Sequence, residues 1–264
     1  MGRLSAGATA RLAALEMRAR LAVRRSDHAI ARERSWPRVL PLVSLPKSGG
    51  TWLADLLAEV PGYARRPFRD PDLCTFEHDV CDAVFESLPP GLLSVLKLHT
   101  RPRPANVELF ERRGLKAVVM HRDLRDQCVS RYFHVLADPW HGHHELYRRL
   151  SKEAALSHCI DATRDEAAAW VAGWRAAIAE SEALLELTYE QLSADAAGEL
   201  GRVLEFWGIE LSTSEHATIV ERVRGRTSFN LTRRSLARGS TARRGVVGDW
   251  RNHLTPEQVA RFER

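Results

Sequence analysis

Residues 39–60, VLPLVSLPKSGGTWLADLLAEV, decide the fold. The run Val39–Leu45 is apolar and gives way to Pro46, the pattern of a short buried strand. Beyond it, Trp52, Leu53, Leu56, Leu57 and Val60 share one face of a 3.6-residue period, which predicts a helix. Between the two lies PKSGGTW. A helix start that follows a strand carries unpaired N–H groups and the positive end of the helix dipole. Gly49 and Gly50 let the backbone approach an anion without a Cβ clash. Ser48 and Thr51 add hydroxyl donors, and Lys47 adds a point charge. The loop reads as a cradle for a phosphate-like group, with an ordinary glycine-bearing strand–helix turn as the alternative. Its order differs from the common phosphate loop, G-x-x-x-x-G-K-[ST], where lysine follows the glycines.

The same alternation continues outward. Strand patterns recur in LLSVLKLH (92–99), KAVVMHR (116–122) and LLELTYE (184–190). Helical patterns occupy 106–114, 123–138, 164–181, 196–208 and 214–225, and Asp123 is placed to cap the second of them. Residues 61–80 and 138–161 read as loop and irregular chain, and the signals after Arg226 are loop-like. Strands alternating with helices predict an α/β fold: a single P-loop-like domain with a central parallel sheet flanked by helices. Residues 1–35, rich in Ala, Leu and Arg, read as an N-terminal basic helical extension to a domain at 36–264.

Composition narrows the function classes. The chain has 264 residues, 44% apolar and 28% charged, which fits a globular protein with a sizeable core. No run approaches the ~20 apolar residues of a membrane helix, so no membrane span is expected. The net charge of +5 suits an anionic ligand or simply a basic surface, and it does not call for nucleic acid. The lysines are Lys47, Lys97, Lys116 and Lys152; every other basic residue is arginine. Cys74, Cys81, Cys128 and Cys159 form neither a C-x-x-C pair nor a zinc spacing, so reduced thiols in a cytoplasmic protein are expected. His141, His143 and His144 lack a helical i, i+4 ligand pair, and no metal is expected there. That stretch, with Trp140, reads as an acceptor-side loop.

Three segments together resemble the cytosolic-type PAPS-dependent sulfotransferases. PKSGGTW (46–52) is similar to the family's P-K-S-G-T-T-W, with Gly50 in place of a threonine. HRDLRDQCVSRYFH (121–134) carries Arg122 and Ser130 at the spacing the family uses to hold a 3′-phosphate, although Leu124 stands where a proline is usual. ARRGVVGDW (242–250) resembles R-K-G-x-x-G-D-W, which places Arg243, Arg244 and Gly245 on the same phosphate. The resemblance further implies adenine-side contacts for Tyr189, Thr227 and Phe229, and 5′-end contacts for Lys47, Ser48, Gly49, Gly50, Thr51 and Trp52. It implies PAPS (3′-phosphoadenosine-5′-phosphosulfate) as co-substrate, PAP as product and no metal.

The family's K-x-H at a strand end matches Lys97 and His99. The resemblance implies that His99 deprotonates the hydroxyl of a small-molecule acceptor. Lys47 would neutralise the leaving phosphate, Ser48 would restrain Lys47 until acceptor arrives, and Lys97 would assist. Glu77 and His134 are the alternative bases. The competing activities are a kinase-like phosphotransferase, which would want its lysine after the glycines, and a non-catalytic nucleotide- or RNA-binding module. The family's dimer motif is degraded in RNHLTPEQVA (251–260), where Arg251, Pro256 and Ala260 depart, so the oligomeric state stays open. Acceptor identity is likewise open.

Overall fold

A computed structural model describes residues 35–66, 79–88, 92–224 and 245–263. Its frame is a parallel sheet of five strands: β1 (Val39–Ser44), β2 (Tyr63–Arg66), β3 (Leu93–Leu98), β4 (Ala117–His121) and β5 (Leu184–Thr188), in the order β2-β3-β1-β4-β5. The predicted α/β class and central parallel sheet are therefore observed. Such strands are covered on both faces, which is why they read as near-continuous apolar runs. Leu40, Leu42, Val43, Val118, Val119 and Met120 are all fully buried.

Alternate residues go to opposite layers. Leu40, Leu42, Val95, Val118 and Met120 join one core with α1 (Gly50–Leu57), α7 (Tyr189–Ala194) and α8 (Ala196–Phe206). Val43, Leu96, Leu98 and Val119 join the other with α3 (Pro104–Arg112) and α6 (Lys152–Glu180). A third cluster joins α6 to α4 (Leu124–Ala137) and α5 (His144–Arg149) through Cys128, Val129, Tyr132, Tyr147 and Ile160. α2 (Asp82–Glu86) and α9 (Thr213–Arg224) complete the main helices, and a short α10 (Pro256–Ala260) follows a single 3₁₀ turn at Asp249–Asn252. Among the described residues no helix is long and apolar enough to cross a membrane.

Asp123 caps α4 as expected, accepting from the Arg125 N–H at 2.8 Å. Other expectations need correction. Within 61–80, read as loop, Tyr63–Arg66 is a strand paired with β3. It is a four-residue edge strand ending in two arginines, too short to show a period. Within 138–161, read as irregular, lie α5 and the start of α6. Ser151 caps α6 by accepting from the Ala154 N–H at 3.2 Å, and Ala155, Leu156, Cys159 and Ile160 are buried at helical spacing. Polar residues between them mask that stripe. Pro256 sits in the first turn of α10, where a missing N–H costs nothing, and Thr255 and Gln258 form a capping box around it. The predicted extension, 1–35, lies outside the described residues except for its last.

Register sets the site. Leu42 faces Lys97 on one side and Val118 on the other; Val43 pairs with Leu98 and Ser44 with Met120. The carboxyl ends of β3, β1 and β4 therefore finish level, about 4.8 Å apart. Gly50 allows α1 to start directly over that edge. A Cβ there would collide with the Ser44 hydroxyl and lie 2.7 Å from the Ser44 Cβ. Gly50→Ala should lower unfolding stability by about 1–3 kcal/mol in urea titration. Adding Ser44→Gly should recover part of that loss, and no recovery would show that the crowding lies elsewhere.

Candidate active site

From β1 the chain crosses to β2 on one side and from β4 it continues to β5 on the other, the reversal that opens a crevice beyond the carboxyl ends of a parallel sheet. The β1–α1 loop enters it under tight restraint. The Leu45 N–H donates to Met120 O at 2.9 Å, and Gln127 Nε2 donates to Pro46 O at 3.0 Å. The Ser48 N–H donates back to Leu45 O at 3.2 Å, closing a turn with Pro46 second and Lys47 third. Lys47 has φ +70°, a region this turn normally fills with glycine or asparagine. A lysine held there costs about 1–2 kcal/mol, a strain that concentrates at functional sites. Gly49 (φ +86°) then caps α1 without a side-chain hydrogen bond. A Cβ on Gly49 would come within 2.5 Å of the Tyr189 ring.

Charge is crowded here. Burial, then Lys97, then Arg122 push the Lys47 pKa down from 10.5 to about 8. Lys97 is close, its Cε 3.5 Å from where a Gly50 Cβ would stand. Ser48 Oγ, Trp52 Nε1 and Arg122 Nε are buried polar atoms with no hydrogen-bond partner among the described residues.

His99, half-buried, follows β3. Its Nδ1 lies 2.7 Å from the Ser44 carbonyl oxygen. A carbonyl only accepts, so Nδ1 carries the proton and the neutral ring has its lone pair on Nε2. β1 thus selects the tautomer of the residue at the end of β3.

Arg122, at the end of β4, is 8% exposed. Its Nη2 donates to Val246 O at 3.0 Å and pairs with Asp126 at 3.2 Å, and its guanidinium lies 4.2 Å from the Tyr189 ring centre. Asp126 also accepts from the Gly248 N–H (2.7 Å) and the Trp250 N–H (2.9 Å). The G-D-W segment is thereby tied to the first turn of α4. The Tyr189 hydroxyl donates to Gly245 O at 2.8 Å. Trp250 stacks with Arg125 at 4.1 Å and Arg251 at 4.3 Å.

Lys47, Ser48, Gly49, Gly50, Trp52, Lys97, His99, Arg122, Tyr189 and Gly245 are thus brought to one edge of the sheet. Thr51 is exposed on α1, and Ser130 is half-buried two turns into α4. Tyr189 is a buried ring against Gly49 and Trp52 rather than an open aromatic surface. Thr227, Phe229, Arg243, Arg244 and the alternative base Glu77 lie outside the described residues. The other alternative, His134, is close to Lys47. Burial and that neighbour's charge push its pKa down to about 4, which makes it a weak proton acceptor. Among the described residues no group of His, Cys, Asp or Glu could hold a metal ion.

Sequence reasoning missed Asp126 and Ser44. Asp126 had a signal, an i, i+4 spacing from Arg122; Ser44 acts through a backbone carbonyl and has none.

The donor set fits a polyanion: cations, a helix start and orphaned donors, with the buried Asp126 carboxylate already engaged by Arg122 and two backbone N–H groups. Residues 37–264 match the family model for a sulfotransferase domain. The chain belongs to the sulfotransferase family. Mouse sulfotransferase 2B1 is 24% identical over 249 residues, covering 84% of this chain and 68% of the relative. Cytosolic sulfotransferase 3 of Arabidopsis thaliana is 26% identical over 249 residues, covering 84% and 73%. Mouse sulfotransferase SULT7A1, solved with PAP, has the same fold (TM-score 0.59, 20% identity, 86% of this chain and 82% of that one). So does retinol dehydratase with androsterone and inactive cofactor PAP (TM-score 0.58, 17% identity, 89% and 81%).

In this sulfotransferase Asp126→Ala leaves Arg122 buried without its counter-charge and releases two backbone donors. It should destabilise the protein by about 3–5 kcal/mol in urea titration. A loss under about 1 kcal/mol would show that Asp126 does not hold the C-terminal segment.

Proposed function

We propose that this enzyme transfers a sulfuryl group from PAPS to a hydroxyl of a small-molecule acceptor, in line, with His99 as general base. The observation that carries the reading is His99 itself: its tautomer is set by Ser44 O, at the edge that also holds Lys47. The PAP in two solved relatives, and the androsterone in one, support the donor and the size of acceptor.

PAPS, when bound, supplies the sulfuryl group and the leaving phosphate. His99 Nε2 takes the acceptor's hydroxyl proton as the acceptor oxygen bonds to sulfur. The Lys47 ammonium meets the charge that grows on the bridge oxygen as the sulfur–oxygen bond breaks. Ser48, the N–H groups of Gly49–Thr51 and the Trp52 indole hold the 5′ phosphate end. Arg122, Ser130, Arg243, Arg244 and Gly245 hold the 3′-phosphate, and Tyr189, Thr227 and Phe229 form the adenine side. Lys97 strengthens the field at Lys47. The working domain is 36–264, with 1–35 as a basic helical extension, and the protein acts in the cytoplasm, as its cytosolic relatives' names suggest. Neither nucleic acid nor metal enters this scheme.

His99→Ala should lower turnover of labelled PAPS, in an acceptor screen, by about a hundredfold or more. PAP without magnesium should still raise the variant's melting temperature as in the parent. Near-normal turnover removes His99 from the base role; loss of the PAP shift removes the nucleotide reading.

Lys47 gives a pH signature. The folded protein releases this proton near pH 8 and the unfolded chain near 10.5. The charged lysine therefore costs the fold stability below pH 8, and the cost is relieved as pH rises from 8 to 10.5. A bound polyanion favours the charged form. PAP affinity measured by calorimetry should fall as pH rises through about 8, with proton uptake on binding. Lys47→Arg should flatten that fall, and a wild-type profile unchanged across this range would separate Lys47 from the ligand.

A further inference from the structure

α6 presents one unusual stripe to the chain just beyond His99. Glu166, Trp170, Gly173 and Trp174 lie at i, i+4, i+7 and i+8, a single helical face. Trp170 Nε1 donates to Thr100 O at 2.9 Å, and Trp174 Nε1 donates to the same oxygen at 3.1 Å. Arg101 pairs with Glu166 at 3.0 Å. Gly173 lets the loop close onto the helix, since a Cβ there would come within 2.6 Å of Pro102. Thr100 is thus met by two residues of one stripe, and Arg101 and Pro102 by one each.

Two indoles converging on one carbonyl is not required by core packing. Each ring could bury its apolar body and send its N–H elsewhere. A carbonyl oxygen has two lone pairs, so this one is saturated, in a place where Thr100 is fully buried. The peptide it belongs to joins Thr100 to Arg101, one residue beyond His99. On the other side, the His99 ring is held by Ser44 O. The imidazole is therefore held at its Nδ1, and the chain that carries it is anchored one residue further on.

We infer that Trp170 and Trp174 are positioning residues for His99: through Thr100 O they anchor the chain one residue beyond the backbone from which the ring reaches Ser44 O. Without them the Thr100–Arg101 peptide turns, the chain on its His99 side shifts with it, the Nδ1–H bond to Ser44 O loosens, and the ring samples the tautomer with its proton on Nε2. This rests on the reading of His99 as the base for its catalytic meaning, but the positioning can be measured without turnover.

The test uses the full chain labelled with ¹⁵N at its 11 histidines. Long-range ¹H–¹⁵N spectra are recorded with PAP, and His99→Ala identifies the His99 signals. Trp170→Phe and Trp174→Phe keep the rings and remove one donor each; the double variant removes both. Each single variant should keep the Nδ1–H pattern, and the double variant should show a mixture of tautomers with PAP affinity within about twofold of the parent. Gly173→Ala, which pushes Pro102 away and leaves both indoles in place, should give the same mixture and decides the matter if the double variant fails to fold. A His99 pattern in the double variant and in Gly173→Ala identical to the parent overturns the proposal. If His99→Ala retains turnover while the tautomer follows the tryptophans, the base reading fails and the positioning stands.

Discussion

Lys47, Lys97 and Arg122 meet at the ends of neighbouring strands, and that crowding of like charge governs this edge of the molecule. Burial first, and then the charges of Lys97 and Arg122, bring the Lys47 pKa down to about 8. Asp126 is the buried counter-ion, but its oxygens already serve Arg122 and two backbone N–H groups. The remaining imbalance is met when an anion with several negative oxygens enters. The same balance explains why a lysine is held at φ +70°, since the turn trades backbone comfort for aiming its charge into the crevice.

The sheet makes this crowding possible. Strands 4.8 Å apart cannot finish at staggered heights and still bring their terminal residues together. Because Val43 pairs with Leu98 and Ser44 with Met120, Lys47, His99 and Arg122 emerge side by side from segments far apart in sequence. Alternation does the rest: Lys97 lies on the same face as Val95, toward α1, so it reaches Lys47 rather than the layer under α6.

The frame was legible because parallel strands buried on both faces announce themselves: LLSVLKLH, KAVVMHR and LLELTYE contain β3, β4 and β5. Tyr63–Arg66 was not, because an edge strand of four residues with two arginines has no period to detect. The first turns of α6 were hidden by His158, Asp161 and other polar residues around a genuine buried stripe. Lys47, His99 and Arg122 could be named from motif spacing. Their supports could not, because Ser44, Thr100 and Val246 act through carbonyl oxygens, and a carbonyl is the one group every residue shares. Only tertiary placement tells which of them matters.

That reliance on backbone oxygens has a chemical consequence. A side chain in contact with the His99 imidazole could exchange protons with it or turn to a different rotamer. A strand carbonyl can do neither, because it only accepts and its direction is fixed by the hydrogen-bond ladder of β1. Ser44 O therefore imposes one tautomer on His99 at every pH at which the ring is neutral. Arg122 is steered in the same way by Val246 O, whose segment is held in turn by Asp126. The tautomer of His99 and the direction of the Arg122 guanidinium are thus set by main-chain geometry. Substitutions that leave these carbonyls in place leave unaltered which ring atom holds the proton.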